Sequence, residues 1–421
     1  MSARKRFLLV VVAGATLFSL SGCFLSAPEA KPAAASCPAS KEGNGLRVAM
    51  MLPLTGDEQA LGTSISAGVR TAIEDINTAG GVLGEDVSIS TVADSGDSDH
   101  LQVASSNALT IVRSGAAAVV GPLGSSSSLT AEPALSRGCV VQYSMGYREG
   151  AVPTKGYLFP VSPSDAASGS VLAQRLVDDG RQRVAFVTVD DPTATAVLDK
   201  TIDALGDRAT VVYGDSSNEA GLEPTQIPAA IQAVAGASPD AVVVLGPGAE
   251  GDILAALGDA GVRAARYLVD NDVVDYANQI SASALADTTG IVSGRPGSSD
   301  LVQRLGAAAP SVEQIELATK SYDLTVATAL AAQAAKGITG ADVRTGLPLV
   351  WADNGTSCST FAQCASLLKS GKPITYASQS SLALQDGTQQ IEASEYTVDE
   401  YTSDGSVTES GTLSASPSGK Q

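Results

Sequence analysis

The sequence predicts an α/β protein of two lobes, each built on a parallel sheet covered by helices. Three observations carry this prediction. Short apolar runs alternate with segments of helical period, and after Cys139–Tyr143 the alternation starts again. The chain has 421 residues, more than one usual domain of ~100–200 residues accounts for. Apolar residues make up 44% of it, aromatics only 4%, and there are 42 glycines, a composition suited to many short elements packed on Ala, Val and Leu.

Taken in order, Leu46–Leu54 reads as a buried strand and Gly62–Asn77 as an amphipathic helix that stops at Gly80-Gly81. Val87–Ala93 is the next strand, followed by a helix over His100–Arg113, the strand Ala116–Gly121, a helix over Leu129–Ser136 and the strand Cys139–Tyr143. The second series begins with the helix Val171–Asp178 and the strand Arg183–Val189, then Ala194–Leu205 (helix), Ala209–Tyr213 (strand), Pro228–Ala235 (helix) and Ala241–Leu245 (strand). Ile253–Ala260, Tyr267–Val269, Ala282–Asp287 and Ile291–Val292 continue it. This rhythm implies parallel sheets joined by right-handed crossovers.

In open sheets of this kind, ligands bind in the crevice outside the carboxyl ends of the strands. The loops that follow the strands are therefore the candidate wall: Thr55–Gly62, Asp94–Ser98, Gly121–Ser128, Ser144–Tyr147, Asp190–Thr195, Gly246–Glu250 and Asp270–Asp272. Gly121-Pro122-Leu123-Gly124 followed by four serines stands out among them. Free N–H groups and the dipole at a helix start favour an anion, and serine hydroxyls add donors. Read alone, Ser125 and Ser126 fit a helix cap equally well.

The N-terminus has the layout of an export signal. Arg4-Lys5-Arg6 precedes the apolar stretch Phe7–Leu20, and Leu20-Ser21-Gly22-Cys23 follows. This resembles a bacterial lipoprotein signal, which implies cleavage after residue 22 and a lipid on Cys23. Residues 23–44, rich in Ala, Pro, Ser and Lys, read as a flexible tether. Four cysteines then remain, which allow three pairings. Cys358 and Cys364 enclose a small loop and are the favoured pair, leaving Cys37 and Cys139 to each other by elimination. Formal net charge is −19, which repels phosphate backbones and argues against nucleic acid as a partner.

Catalytic signatures are weak. The sole histidine, His100, opens a helix, no Gly-x-Ser-x-Gly elbow occurs, and Gly371-Lys372-Pro373 is no P-loop. Adjacent acids at Asp178-Asp179 and Asp190-Asp191 read as solvated turns rather than an acid–base pair. No Cys-x₂-Cys spacing suggests a metal, and no cofactor is expected. An envelope hydrolase is thus the least favoured reading.

The segment Leu46–Gly62 with its Met-Leu-Pro-Leu-Thr-Gly core, then Gly68…Ala72-Ile73-Glu74-Asp75-Ile76-Asn77…Gly80-Gly81-Val82-Leu83-Gly84, resembles the opening of the branched-chain amino acid type substrate-binding proteins of ABC importers. Asp94-Ser95…Asp97, the serine turn, and Ser162-Pro163-Ser164-Asp165…Gly169 continue the resemblance in order. Tyr322-Asp323…Ala327…Ala329-Leu330 and Cys358…Cys364…Gly371-Lys372 are similar to versions in actinobacterial relatives.

The resemblance implies a type I periplasmic-binding fold, two lobes joined by a three-strand hinge that close around a ligand. Lobe 1 is expected at 45–161 with 294–372, lobe 2 at 162–293 with 373–404, and a disordered tail at 405–421. It implies a monomer, anchored to the outer face of the cell membrane, that hands a small molecule to an ABC permease. Carried over by position, the ligand carboxylate meets Ser125 and Ser126, then Met145, Gly146 and Tyr147 with backbone donors at Met145 and Gly146. An ammonium group meets Asp165, Asp270 or Asp272, the last two being equally readable as a solvated turn. Asp191-Pro192-Thr193 stands where amino-acid binders carry an aromatic-Gly pair, so Asp191 joins the ligand-facing positions. That departure, Met145 and Tyr147 in the carboxylate loop, and Asp270-Asn271-Asp272 in place of a lone glutamate point away from leucine, isoleucine and valine. Another amino acid, a short amide or a polar organic acid is expected. A sensing or scavenging receptor of the same fold is the alternative to transport.

Overall fold

In the computed structural model the described residues are Cys37 and 45–414, apart from 56–57, 97–99, 147–155, 162, 216–219, 247, 274–275, 277–279, 310–311, 313, 386 and 403–405. The expected signal, Cys23 and the tether lie outside them. So do Tyr147 and the residues beyond 414. No helix among the described residues is long and apolar enough to cross a membrane.

The first series runs β1 (Arg47–Leu52), α1 (Gln59–Thr78), β2 (Ser88–Asp94), α2 (Leu101–Ser114), β3 (Ala118–Val120), α3 (Ser125–Arg137), β4 (Val141–Ser144) and β5 (Leu158–Pro160). These strands form one sheet in the order β2-β1-β3-β4-β5, every pair parallel. β1 reads Arg-Val-Ala-Met-Met-Leu and is buried along its apolar length, as a central strand covered on both faces must be.

The second series runs α4 (Asp165–Asp178), β6 (Arg183–Thr188), α5 (Pro192–Leu205), β7 (Thr210–Tyr213), α6 (Ile227–Ala237), β8 (Ala241–Leu245), α7 (Glu250–Asp259), β9 (Ala265–Val269), α8 (Ala282–Leu285) and β10 (Thr288–Ser293). The chain then returns to the first core with α9 (Ser299–Ala308), α10 (Ile315–Ala335) and α11 (Gly340–Val350), followed by β11 (Thr356–Cys358), α12 (Phe361–Lys369), β12 (Ile374–Tyr376), β13 (Leu382–Leu384) and β14 (Ile391–Ala393). It ends on β15 (Glu395–Tyr401) and β16 (Val407–Ser414). The second sheet has the order β16-β15-β10-β9-β8-β6-β7, parallel except for β15 and β16. Three passages connect the lobes: β5 to α4, β10 to α9 and β14 to β15. The two-lobed α/β reading with a three-strand hinge therefore holds.

Helix α10 is the centre of the first lobe, with both faces of its middle turns buried. It packs on α1 where Gly68 lies so near the Ala318 carbonyl that a Cβ would collide with it. On its far side Asp323 accepts hydrogen bonds from the Tyr376 hydroxyl (2.5 Å), Gln379 N–H (3.1 Å), Ser380 N–H (2.7 Å) and Ser380 Oγ (2.5 Å). This anchor explains one correction. Ile374, Tyr376, Leu382 and Ile391 sit in the first lobe's core, so 373–394 does not accompany lobe 2, and only Glu395 onward does. A second correction concerns the tail, where β16 pairs antiparallel with β15 instead of the expected disorder from residue 405. Both disulfides are present, Cys37–Cys139 and Cys358–Cys364, with Cα–Cα distances of 5.5 and 5.3 Å.

Candidate functional site

The loops at the carboxyl ends of β1, β3 and β4 face those of β6, β8 and β9. On the first wall, Gly121 takes φ 97° directly after β3, and a Cβ there would strike the Met51 carbonyl. Only glycine lets the chain turn that close to β1. Helix α3 then begins at Ser125, not at Leu129 as the sequence suggests. Its cap position is Gly124, which has no side chain to accept the first N–H groups. Ser125 and Ser126 occupy the first turn itself, so the capping reading of these serines does not hold. Ser125 is half-buried, Ser126 is exposed, and Ser127 and Ser128 are buried. Helices α4, α5, α9, α11 and α12, by contrast, carry capping side chains from Ser164, Asp191, Ser298, Thr339 and Thr360.

One expected donor changes role. The Met145 N–H donates to the Pro122 carbonyl at 3.1 Å, so it holds the serine turn in place rather than pointing at a ligand. Gly146 is half-buried, and a Cβ on it would meet the Leu123 carbonyl, so it packs under the same turn.

On the second wall, Asp191 Oδ1 accepts from Thr193 N–H at 2.8 Å and Ala194 N–H at 2.9 Å. It is the N-cap of α5, a role its reading as a ligand position did not include. The cap presents Thr193 instead, whose Oγ1 lies 3.5 Å from Ser125 Oγ on the opposite wall. Asp270 takes a left-handed φ of 50°, and its carboxylate is already occupied: Oδ1 accepts from Ser293 N–H at 2.8 Å and Oδ2 from Ser168 Oγ at 3.3 Å. Asp165 is buried at the first turn of α4, one turn before Ser168. Asp270 thus knits α4 to β10.

Asp272 behaves differently. Its carboxyl hydrogen-bonds that of Glu250, the first residue of α7, which is only 7% exposed. Glu250 Oε1 also accepts from Gly248 N–H at 2.9 Å. Burial raises Glu250 to about 7, with the charge of Glu58 on the first wall adding to the rise. Burial and then the Glu250 charge push Asp272 well above the carboxylate range. Two such groups in contact hold a proton between them. Among the described residues of these loops every charged side chain is acidic: Glu58, Asp94, Asp190, Asp191, Glu250, Asp270 and Asp272. One wall therefore offers an uncapped helix start with hydroxyls, and the other a carboxyl pair. Glu250 was not singled out from sequence, because an acid in the first turn of a helix is ordinary until Asp272 is seen against it.

A family model described as periplasmic binding protein matches residues 45–349. No curated protein matches the chain. Among solved structures, the substrate-binding protein LivJ of Streptococcus pneumoniae in complex with isoleucine is similar at a TM-score of 0.69 and 16% identity, covering 87% of this chain and 100% of its own. The leucine-binding protein LivK of Thermotoga maritima gives 0.68 and 16%, with 88% and 99% covered. A solute-binding protein of Rhodopseudomonas palustris in complex with p-hydroxybenzoic acid gives 0.68 and 14%, with 89% and 98% covered. At these identities the likeness speaks for the fold.

Proposed function

The chain belongs to the periplasmic binding protein family, and from that premise we propose that it captures a small zwitterion, an amino acid or close relative, between its lobes. The observation that carries this is the pairing of opposite walls. The α3 start with Ser125 and Ser126 suits a carboxylate, and the Glu250–Asp272 pair suits an ammonium group. Isoleucine, leucine and hydroxybenzoate, named with the similar structures, share a carboxylate. Hydroxybenzoate has no cation for an acidic wall, so the carboxyl pair favours the amino-acid class. Thr193, Gly146, Tyr147 and Asp165 complete the proposed contact set.

In this reading the protein is a binder, not an enzyme. It is exported, held at the outer face of the membrane through a lipid on Cys23, and passes its cargo to an ABC permease by opening the hinge. Support for the anchor is the Leu20-Ser21-Gly22-Cys23 segment alone, and Cys23→Ser is expected to release the protein from membranes.

A thermal-shift screen of the full chain against amino acids, short amides, organic acids and hydroxybenzoates tests the ligand class. A ligand at a hundred times its Kd stabilises by ~2.7 kcal/mol. Stabilisation by a zwitterion and not by hydroxybenzoates is expected. The reverse pattern would overturn the assignment of the carboxyl pair, and no stabilisation by any compound would turn the reading to a sensor of another ligand class.

A further inference from the structure

A cavity of about 720 Å³ opens beside the passage from β10 to α9. None of Ser125, Ser126, Thr193, Glu250 and Asp272 lines it. Its apolar walls are Val273, Pro296, Val302, Val312, Ile315 and Val407. Its polar lining includes Gln314 and Glu316 at the start of α10, Asp399 on β15 and Glu409 on β16.

Among the described residues, few donors meet these acceptors. Glu316 is 4% exposed and Asp399 6%. Among the described residues, the Glu316 carboxylate has only its own backbone N–H as a hydrogen-bond donor, and the Asp399 carboxylate has none. Gln314 is 3% exposed; its Nε2 is spent on the carbonyls of Asp270 (2.9 Å) and Val273 (3.0 Å), while its buried Oε1 has no partner among the described residues. The cation on the same helix, Lys320, turns away to donate to Ser293 Oγ at 2.9 Å. The carboxylates do not gather closely enough for a metal: no group of three or more His, Cys, Asp or Glu side chains that could hold an ion occurs among the described residues.

We propose that this hinge cavity is a second binding site, for an organic cation that carries an ammonium or guanidinium group on an apolar body. Glu316 and Asp399 receive the cationic head, Glu409 supplies a further charge, and the valines and Ile315 cover the body. Burial raises Glu316 to about 7 and Asp399 to about 6, with Asp399 adding to the first and Glu409 to both, while Lys320 lowers Glu316. Both carboxyls ionise more readily beside a bound cation, so cation affinity falls as pH drops from 8 towards 5.

The probe is cadaverine, with pentane-1,5-diol as its uncharged counterpart, titrated calorimetrically into the full chain. Cadaverine is expected to bind and the diol not to. Asp399→Asn should raise the cadaverine Kd at least tenfold, and Glu409→Gln, a more accessible change, should raise it severalfold. Glu250→Gln, in the crevice, should leave it unchanged. No binding of cadaverine, equal binding of the diol, unchanged affinity in both hinge variants, or loss of binding in Glu250→Gln would each overturn the proposal. The amino-acid screen stands or falls separately, since it reads the crevice.

Discussion

The hydroxyl groups of Ser125 and Thr193 stand 3.5 Å apart, although Ser125 opens a helix on the first sheet and Thr193 lies in the first turn of one on the second. An anion seated at the α3 start is therefore within reach of both lobes. Replacing Ser125 and Ser126 by alanine removes hydrogen bonds to a charged partner at a cost of ~1.5–3 kcal/mol each. The double variant should bind the zwitterion from the screen at least roughly tenfold more weakly by calorimetry. Its unliganded melting temperature should barely move, because neither side chain caps the helix. An unchanged Kd would place the ligand carboxylate elsewhere.

The Glu250–Asp272 pair makes stability depend on pH with a definite sign. Both carboxyls are raised in the folded state, so the native protein holds more protons than the unfolded chain between the ordinary carboxylate range and about 7. Stability is then fully present below the unfolded pKa and is lost as pH rises through the folded one, by up to ~1.4 kcal/mol per pH unit for one proton. Glu250→Gln should flatten that loss, stabilising the apo protein at pH 8 and changing little at pH 4. Urea titrations of wild type and variant across this range isolate the pair from Glu316 and Asp399, which are raised too. A variant curve parallel to wild type would refute the shared proton.

The alternation of strands and helices was legible because buried parallel strands such as Ala241–Leu245 are unbroken apolar runs of the right length, and that strand appears with the bounds expected for it. Boundaries failed where propensity and position disagree. Four serines favour caps and turns over helix interiors, yet Ser125–Ser128 are helical because tertiary packing places Gly124 at the cap. The strand Leu158–Pro160 is three residues long and carries no periodicity to detect. Asp191-Pro192 was a readable helix start, an N-cap acid followed by proline at the first position, and its resemblance to a ligand position masked that. The carboxyl pair was not legible, since it arises only when the loops after β8 and β9 meet.

Asp323 sits in the middle of α10 with four donors aimed at its carboxylate. Asp323→Ala leaves the Tyr376 hydroxyl, the Ser380 hydroxyl and two backbone N–H groups unmet in the interior, and frees the segment that carries β12 and β13. A loss of ~3–5 kcal/mol is expected on chemical unfolding, with Asp323→Asn losing less because its carbonyl oxygen still accepts. A loss below ~1 kcal/mol would show that the C-terminal segment is held by its apolar side chains alone.

The two disulfides close loops of very different size, and that separates their effects. Cys37 and Cys139 are 102 residues apart, Cys358 and Cys364 only 6. In the chain-entropy account a loop of ~100 residues stabilises by ~4.7 kcal/mol, and a loop of a few residues by roughly half of that. The Cys37→Ser, Cys139→Ser double variant should therefore lower the melting temperature more than the Cys358→Ser, Cys364→Ser one. The second bridge has a local effect as well, because Cys358 ends β11 and Cys364 lies in α12, so its loss should raise amide exchange there first. Equal melting temperatures for the two double variants would mean that the unfolded chain already keeps residue 37 near residue 139, and that the loop length no longer sets the gain.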